Sequence, residues 1–364
     1  MDKNLARFKA PMTNILSSVS AIIVGLLIGL VILLVSNAAQ ALGGFRSILT
    51  SGFSSMRELG QVLYFATPII MTGLSVGFSS RTGLFNIGAP GQFIVGAYAA
   101  VLVGVKCDFL PGHLLWICAL LAALLSGALW GAIPGFFKAF FNVNEVIACI
   151  MTNYVGMYTV NFLITKTIHN SLQNQTMRVA DNANLPKIGF DKIFREGFSV
   201  SSANSGILLA ILFAILIYII LEKTSFGYEL KACGFNREAA RYAGINEKRA
   251  ILLSMIIAGA IAALGGAFLY LAGSGKGITV VDVLASEGFN GIPVALLGLN
   301  NPIGIIFSGL LVAYLTVGGF NMQLYDFAPQ VIEIIIAVII YFSAFALLLK
   351  GFFVSLKKRK RGAS

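Results

Sequence analysis

Metal sites and nucleophiles are usually built from histidine and cysteine, and this chain has little of either. It holds two histidines, His113 and His169, and four cysteines, Cys107, Cys118, Cys149 and Cys233. No two cysteines form a CxxC pair and none clusters with a histidine. Neither a zinc site nor a disulfide framework is indicated. The run Gly273-Ser274-Gly275-Lys276-Gly277 has the outline of a phosphate loop. It lacks the first glycine at the right spacing and the Ser or Thr that should follow the lysine. Neither GxSxG nor HExxH occurs. The reading is of a chain with no catalytic residue, no metal and no cofactor of its own, and therefore not an enzyme.

The chemistry that remains is neutral recognition. Two segments carry Phe-Asn flanked by glycines with a proline close behind. One is Gly83-Leu84-Phe85-Asn86-Ile87-Gly88-Ala89-Pro90-Gly91-Gln92, the other Glu287-Gly288-Phe289-Asn290-Gly291-Ile292-Pro293. Glycine and proline free backbone groups from helical bonding, which membrane depth tolerates only against protein or a wet cavity. Asn and Gln offer donors and acceptors without charge, and Phe offers a flat face for a sugar or base. Phe85, Asn86, Gln92, Phe289 and Asn290 are candidate pathway residues, the alternative being kinked packing contacts with satisfied amides. Asn153 joins them: a helix that turned Tyr154 and Tyr158 to lipid would turn Asn153 inward.

Composition says what positions these residues. Of 364 residues, 57% are hydrophobic and 11% charged, and mean hydropathy is +0.87. A soluble domain carries about 25% charged residues, so lipid must solvate most of this chain. Ten apolar segments stand out, near 15–37, 60–80, 88–105, 113–137, 146–165, 205–222, 250–271, 286–299, 302–319 and 329–350. The eighth is short and interrupted, so a plain crossing helix is not required of it. The first follows Lys3, Arg7 and Lys9 and precedes a cleavage-like Ala39-Gln40-Ala41, but it exceeds a signal-peptide core and reads as an uncleaved span. The expected class is an all-α polytopic membrane protein forming one permease domain over 1–364. Inverted repeats over spans two to five and seven to ten would set the two Phe-Asn segments at opposite faces.

The net charge of +11 fits topology better than nucleic-acid binding. With both termini in the cytoplasm, 17 of the 26 Lys and Arg residues fall inside, including the run Lys357 to Arg361, as the positive-inside rule asks. That run also suits contact with anionic membrane lipid. The outer loop 166–204 reads as a cap, a partner's landing site or a passive connector. The inner loop 222–249 contains a short helix: Asn236 caps it, Glu238 sits in its first turn and Gly244 ends it. Such a helix is too short to stand alone in water and must pack on a partner subunit or on lipid. No acid, histidine or cation lies at the centre of a confident span, which disfavours ion-coupled transport.

Four stretches carry a family resemblance: GLFNIGAPGQFIVGAYAA at 83–100, ALWGAIPGFFKAFFNVNEVI at 128–147, ELKACGFNREAARYAGI at 229–245 and GFNGIPVALLGLNNPIG at 288–304. In this order they resemble bacterial ABC-importer permeases of the nucleoside and simple-sugar class, akin to those for branched-chain amino acids. The resemblance implies a ten-span subunit in the bacterial cell membrane, pairing with a second, related permease as a heterodimer. It also implies a cytoplasmic ABC ATPase that binds the ATP and an extracytoplasmic substrate-binding lipoprotein. Asn236, Arg237, Glu238, Ala239, Ala240, Arg241, Tyr242, Ala243 and Gly244 match the family's ATPase-coupling helix. Members often carry an acid before the Gly-Gln pair where this chain has Pro90, so no charged pathway residue is inferred there. The expected cargo is a nucleoside. The alternatives are a monosaccharide or branched-chain amino acid permease, a stand-alone secondary transporter, or an enzyme acting on lipid-linked substrates. No mid-span cation is available to meet a free carboxylate.

Overall fold

The computed structural model describes residue 20 and residues 23–344. Lys3 to Lys9, the start of the first apolar segment, the end of the tenth and the Lys357–Arg361 run lie outside the described residues. Each apolar segment has a helix: α1 (Ile23–Ser36), then α2 (Ala41–Thr50), α3 (Met56–Arg81), α4 (Ala89–Lys106), α5 (Gly112–Phe141) and α6 (Glu145–Thr167). There follow α7 (Phe190–Ile193), α8 (Gly206–Lys223), α9 (Ser225–Phe235), α10 (Arg237–Tyr242), α11 (Glu247–Tyr270), α12 (Ser286–Leu297), α13 (Pro302–Met322) and α14 (Pro329–Ala344). Seven of them are long and apolar enough to cross a membrane. Among the described residues the chain is all-α apart from two antiparallel hairpins of two-residue strands, His169–Asn170 with Gln175–Thr176 and Arg195–Glu196 with Ser199–Val200.

The chain divides into two compact units, Met1–Ser54 with Tyr314–Ser364, and Ser55–Ala313. In the first, small residues let helices meet closely. A Cβ on Gly318 would stand 2.7 Å from the Ile48 carbonyl, and Ser47 Oγ donates to the Gly318 carbonyl at 3.4 Å.

In the second unit α3 is a central post, buried from Thr67 to Ser79. Around it, α11 packs on α3, α4 and α5. The α5–α11 crossing is a small-residue contact. A Cβ on Gly127 would fall 2.5 Å from the Gly259 carbonyl, and one on Gly131 2.4 Å from the Met255 carbonyl. The GxxxG spacing in α5 thus serves close backbone approach. By contrast α5, α6 and α8 leave Leu125, Leu129, Tyr154, Tyr158, Leu212 and Ile215 exposed.

The 166–204 segment is more built than a plain connector. Besides its hairpins, its Thr176 N–H donates to the Ile278 carbonyl at 2.9 Å and its Asn174 amide to the Val280 carbonyl at 3.1 Å. It therefore holds the irregular 271–285 segment in place.

Candidate pathway site

The chain breaks between α3 and α4, and the sequence shows why. Gly83, with φ +73°, closes α3 in a left-handed cap: the Leu84 N–H donates to the Ser79 carbonyl at 3.0 Å and the Gly83 N–H to Ser80 at 3.1 Å. Asn86 then organises the turn. Its Oδ1 accepts from the Gly88 N–H at 3.1 Å and from Gln92 Nε2 at 3.2 Å, while its Nδ2 donates to Gln92 Oε1 at 2.8 Å and Ser75 Oγ at 3.1 Å. Ser75 Oγ donates onward to the Ala258 carbonyl at 2.6 Å. From α6, Asn153 accepts from the Gly91 N–H and donates to the Ile87 carbonyl, both at 2.9 Å.

Asn86, Gln92 and Asn153 are therefore brought together, each at most 2% exposed and satisfied within this unit. Burial of an amide is tolerable only on such terms, since an orphaned group costs about 1–3 kcal/mol. The network joins α3, the break, α4, α6 and α11. Tyr154 and Tyr158, 49% and 55% exposed, occupy the other side of α6, so the helix does turn Asn153 inward.

The second Phe-Asn segment meets the first. Gly288 lies against Pro90, where a Cβ would stand 2.5 Å from the proline Cα, and Gly291 lies against the Thr72 backbone. Thr72 Oγ1 donates to the Glu287 carbonyl at 3.1 Å. Thr72 is 16 residues into α3, about 24 Å along it at 1.5 Å per residue. So α12 begins beside the middle of α3 and covers only the half that ends at Arg81, whose Nε donates to the Asn300 carbonyl at 2.9 Å. The interrupted eighth segment is a half-helix. Phe85 and Asn290 are half-buried, and Phe289 is exposed; of the six candidates, these three leave side-chain surface for a passing molecule.

Sequence reasoning missed one pair of charges at this depth. Glu287 opens α12 and pairs with Lys276 at 3.1 Å; the side chains are 18% and 43% exposed. Tyr64 stands nearby, its hydroxyl within 3.4 Å of Ser274 Oγ. The signal was the superficial phosphate loop: its lysine is the partner of the acid that precedes Gly288. Because Lys276 is well solvated, the pair is worth about 1 kcal/mol or less. Lys276→Ala is expected to cost about that much. Glu287→Gln in the same chain should recover part of it, a double-mutant cycle on thermal stability in detergent being the measurement.

The 222–249 segment holds two helices rather than one. Asn236 both ends α9 and caps α10, its Oδ1 accepting from the Ala239 N–H at 3.0 Å. Gly244, at φ +85°, closes α10, with the Ile245 N–H reaching the Ala240 carbonyl at 3.0 Å. Glu238 lies in the first turn. Ala240 is buried, while Tyr228, Phe235 and Tyr242 are at least 70% exposed. Arg241, Ala239, Ala243 and Gly244 are exposed with them, and Arg237 is half-buried. Sequence reasoning overlooked α9 because Gly227 and Gly234 interrupt its pattern.

A family model described as branched-chain amino acid transport system / permease component matches residues 59–344. The chain is 37% identical to the guanosine ABC transporter permease protein NupP of Bacillus subtilis (strain 168), over 97% of this chain and 99% of that one. It is 32% identical to the nucleoside ABC transporter permease protein NupB of Lactococcus lactis subsp. cremoris (strain MG1363), over 91% of each. It is 33% identical to the glucose ABC transporter permease protein TsgB13 of Haloferax volcanii, over 87% of this chain and 83% of that one. No solved structure matches the chain. Among the described residues, seven apolar helices long enough to span a bilayer, a half-helix that begins beside the middle of α3 and a family match over most of the length converge. The chain belongs to the branched-chain amino acid transport system / permease component family, multi-pass cell-membrane proteins that transport rather than catalyse.

Proposed function

We propose that this chain is the permease subunit of an ATP-binding-cassette importer whose cargo is a nucleoside. The observation that carries the reading is the near-full-length likeness to two permeases named for guanosine and for nucleosides. The chemistry is compatible. Phe85, Phe289 and Asn290 can offer aromatic faces and a neutral amide to a base and a ribose. The cation at this depth, Lys276, is paired with Glu287, which is poor provision for a free carboxylate substrate.

The partners proposed with it are a cytoplasmic ATPase, which binds the ATP, a second related permease and an extracytoplasmic substrate-binding lipoprotein. In this arrangement 222–249 faces the ATPase and 166–204 the outside. Asn236 to Gly244 dock on the ATPase, and the spans rock between two accesses as nucleotide binds.

A glucose permease is the second reading, favoured by the relative of that name. Reconstitution of the permeases, ATPase and lipoprotein in vesicles decides between them. ATP-dependent accumulation of labelled guanosine or uridine is expected, competed by unlabelled nucleosides and indifferent to glucose and leucine. Competition by glucose alone would move the cargo to sugars. Uptake by the permease without the ATPase, driven by a proton or sodium gradient, would end the importer reading.

A further inference from the structure

The segment proposed above to face the ATPase touches the α3–α4 break directly, backbone to backbone, just before the residues proposed to dock. A Cβ on Gly83 would lie 2.7 Å from the Gly234 Cα, and a Cβ on Gly234 would lie 2.8 Å from the Gly83 nitrogen and the Thr82 carbonyl carbon. The two residues are 151 positions apart in sequence, and no side chain intervenes. We propose that Gly83 and Gly234 form the joint through which movement of α9 and α10 enters the substrate pathway, which makes them positioning residues for transport. The proposal rests on the docking reading of α10.

Both sides of the joint are stiff. On one side, Gly234 is two residues from Asn236, the residue that ends α9 and caps α10. At the other end of α9, Thr224 Oγ1 caps the Gly227 N–H at 3.0 Å, and a Cβ on Gly227 would lie 2.1 Å from the Ile220 carbonyl. Rotation of α10 therefore displaces Gly234 instead of being absorbed in α9.

On the other side, Gly83 is three residues from Asn86. Asn86 holds Ser75, Gly88 and Gln92, and Asn153 holds Ile87 and Gly91. The turn is also fastened to α11 by the Thr82 and Ser254 hydroxyls, which hydrogen-bond to each other. A displaced Gly83 thus carries the start of α4, and with it Pro90, against which Gly288 and the start of α12 lie. Two backbones in contact transmit displacement with little slack, because close-packed atoms give way less than a flexible side chain would.

The test uses the assembled transporter. On adding a non-hydrolysable ATP analogue, hydrogen–deuterium exchange is expected to change together in peptides covering 229–245 and 82–92. In Gly234→Ala the change at 229–245 should persist and the one at 82–92 should vanish. Uptake should fall about tenfold, with ATP hydrolysis retained. A wild-type change at 229–245 with none at 82–92 would overturn the joint and leave the docking reading standing, as would wild-type uptake in Gly234→Ala. No change in either peptide would remove the docking reading and the joint together. Because the wild-type arm needs no substitution, it decides even if the variant fails to assemble.

Discussion

Gly259→Val is expected to prevent this protein from assembling a stable bundle. Helices α5 and α11 form an extensive helix pair of the Ser55–Ala313 unit, and their crossing has no room for a side chain. A Cβ at 259 would stand 2.3 Å from the Gly127 carbonyl oxygen and 2.9 Å from the Gly131 Cα. Both obstacles are backbone, so no rotamer change relieves them. The helices would have to move apart, and Ser75, which donates to the Ala258 carbonyl, would lose its place in the Asn86 network. Ordinary overpacking costs about 1–3 kcal/mol, and a backbone obstacle with a polar network behind it should exceed that. Leu129→Val, on the exposed side of α5, alters a side chain of the same helix without entering the crossing. The measurement is yield and thermal stability of detergent-solubilised protein. Expected is a collapse for Gly259→Val and near-native behaviour for Leu129→Val; equal behaviour of the two would mean that the crossing is looser than its geometry.

Helix positions and capping were legible in sequence because they depend on neighbours. A run of apolar residues bounded by polar ones predicts a membrane helix from burial alone, and each expected segment has one. The caps at Asn236 and Gly244 follow from an acceptor side chain and a residue free to adopt positive φ. The α3–α4 break announced itself by three glycines, a proline and an asparagine. The partners that give those residues meaning were not legible. Asn86 bonds to Ser75, and Asn153 reaches across from α6; either contact could have been drawn to other polar residues. Lys276 and Glu287 are joined through an irregular segment whose path no periodicity encodes. Helix α9 was hidden because its two glycines weaken a helical pattern, and the same glycines prove to be where it packs on Leu221 and on Gly83. Small residues at a close crossing look, in sequence, like helix breakers.

Reversal of one charge in α10 should stop transport without unfolding anything. The helix has six residues and gains its order from its ends and from buried Ala240. The Arg241 side chain, on the exposed surface between Ala240 and Tyr242, takes no part in these contacts, and the carbonyl that accepts from the Gly244 N–H is unchanged by substitution, so Arg241→Glu should leave the fold and the membrane complex intact. The exposed company it keeps, with Phe235 90% and Tyr242 93% accessible, is the composition of an interface centre, where losing an arginine anchor costs about 2 kcal/mol or more. Uptake should therefore fall about 30-fold, while the ATPase continues to hydrolyse ATP without responding to cargo. Anionic lipid is the competing partner for a basic, aromatic surface. A lipid contact is worth about 1 kcal/mol per basic residue and is indifferent to which cation supplies it. A protein groove that grips the planar guanidinium is not indifferent, so Arg241→Lys separates the two. Impaired uptake in the lysine variant supports docking on the ATPase. Full uptake in the lysine variant, with loss in the glutamate variant reversed when anionic lipid is withdrawn from the vesicles, would assign α10 to the membrane surface. Energy from ATP would then have to enter the spans by another route.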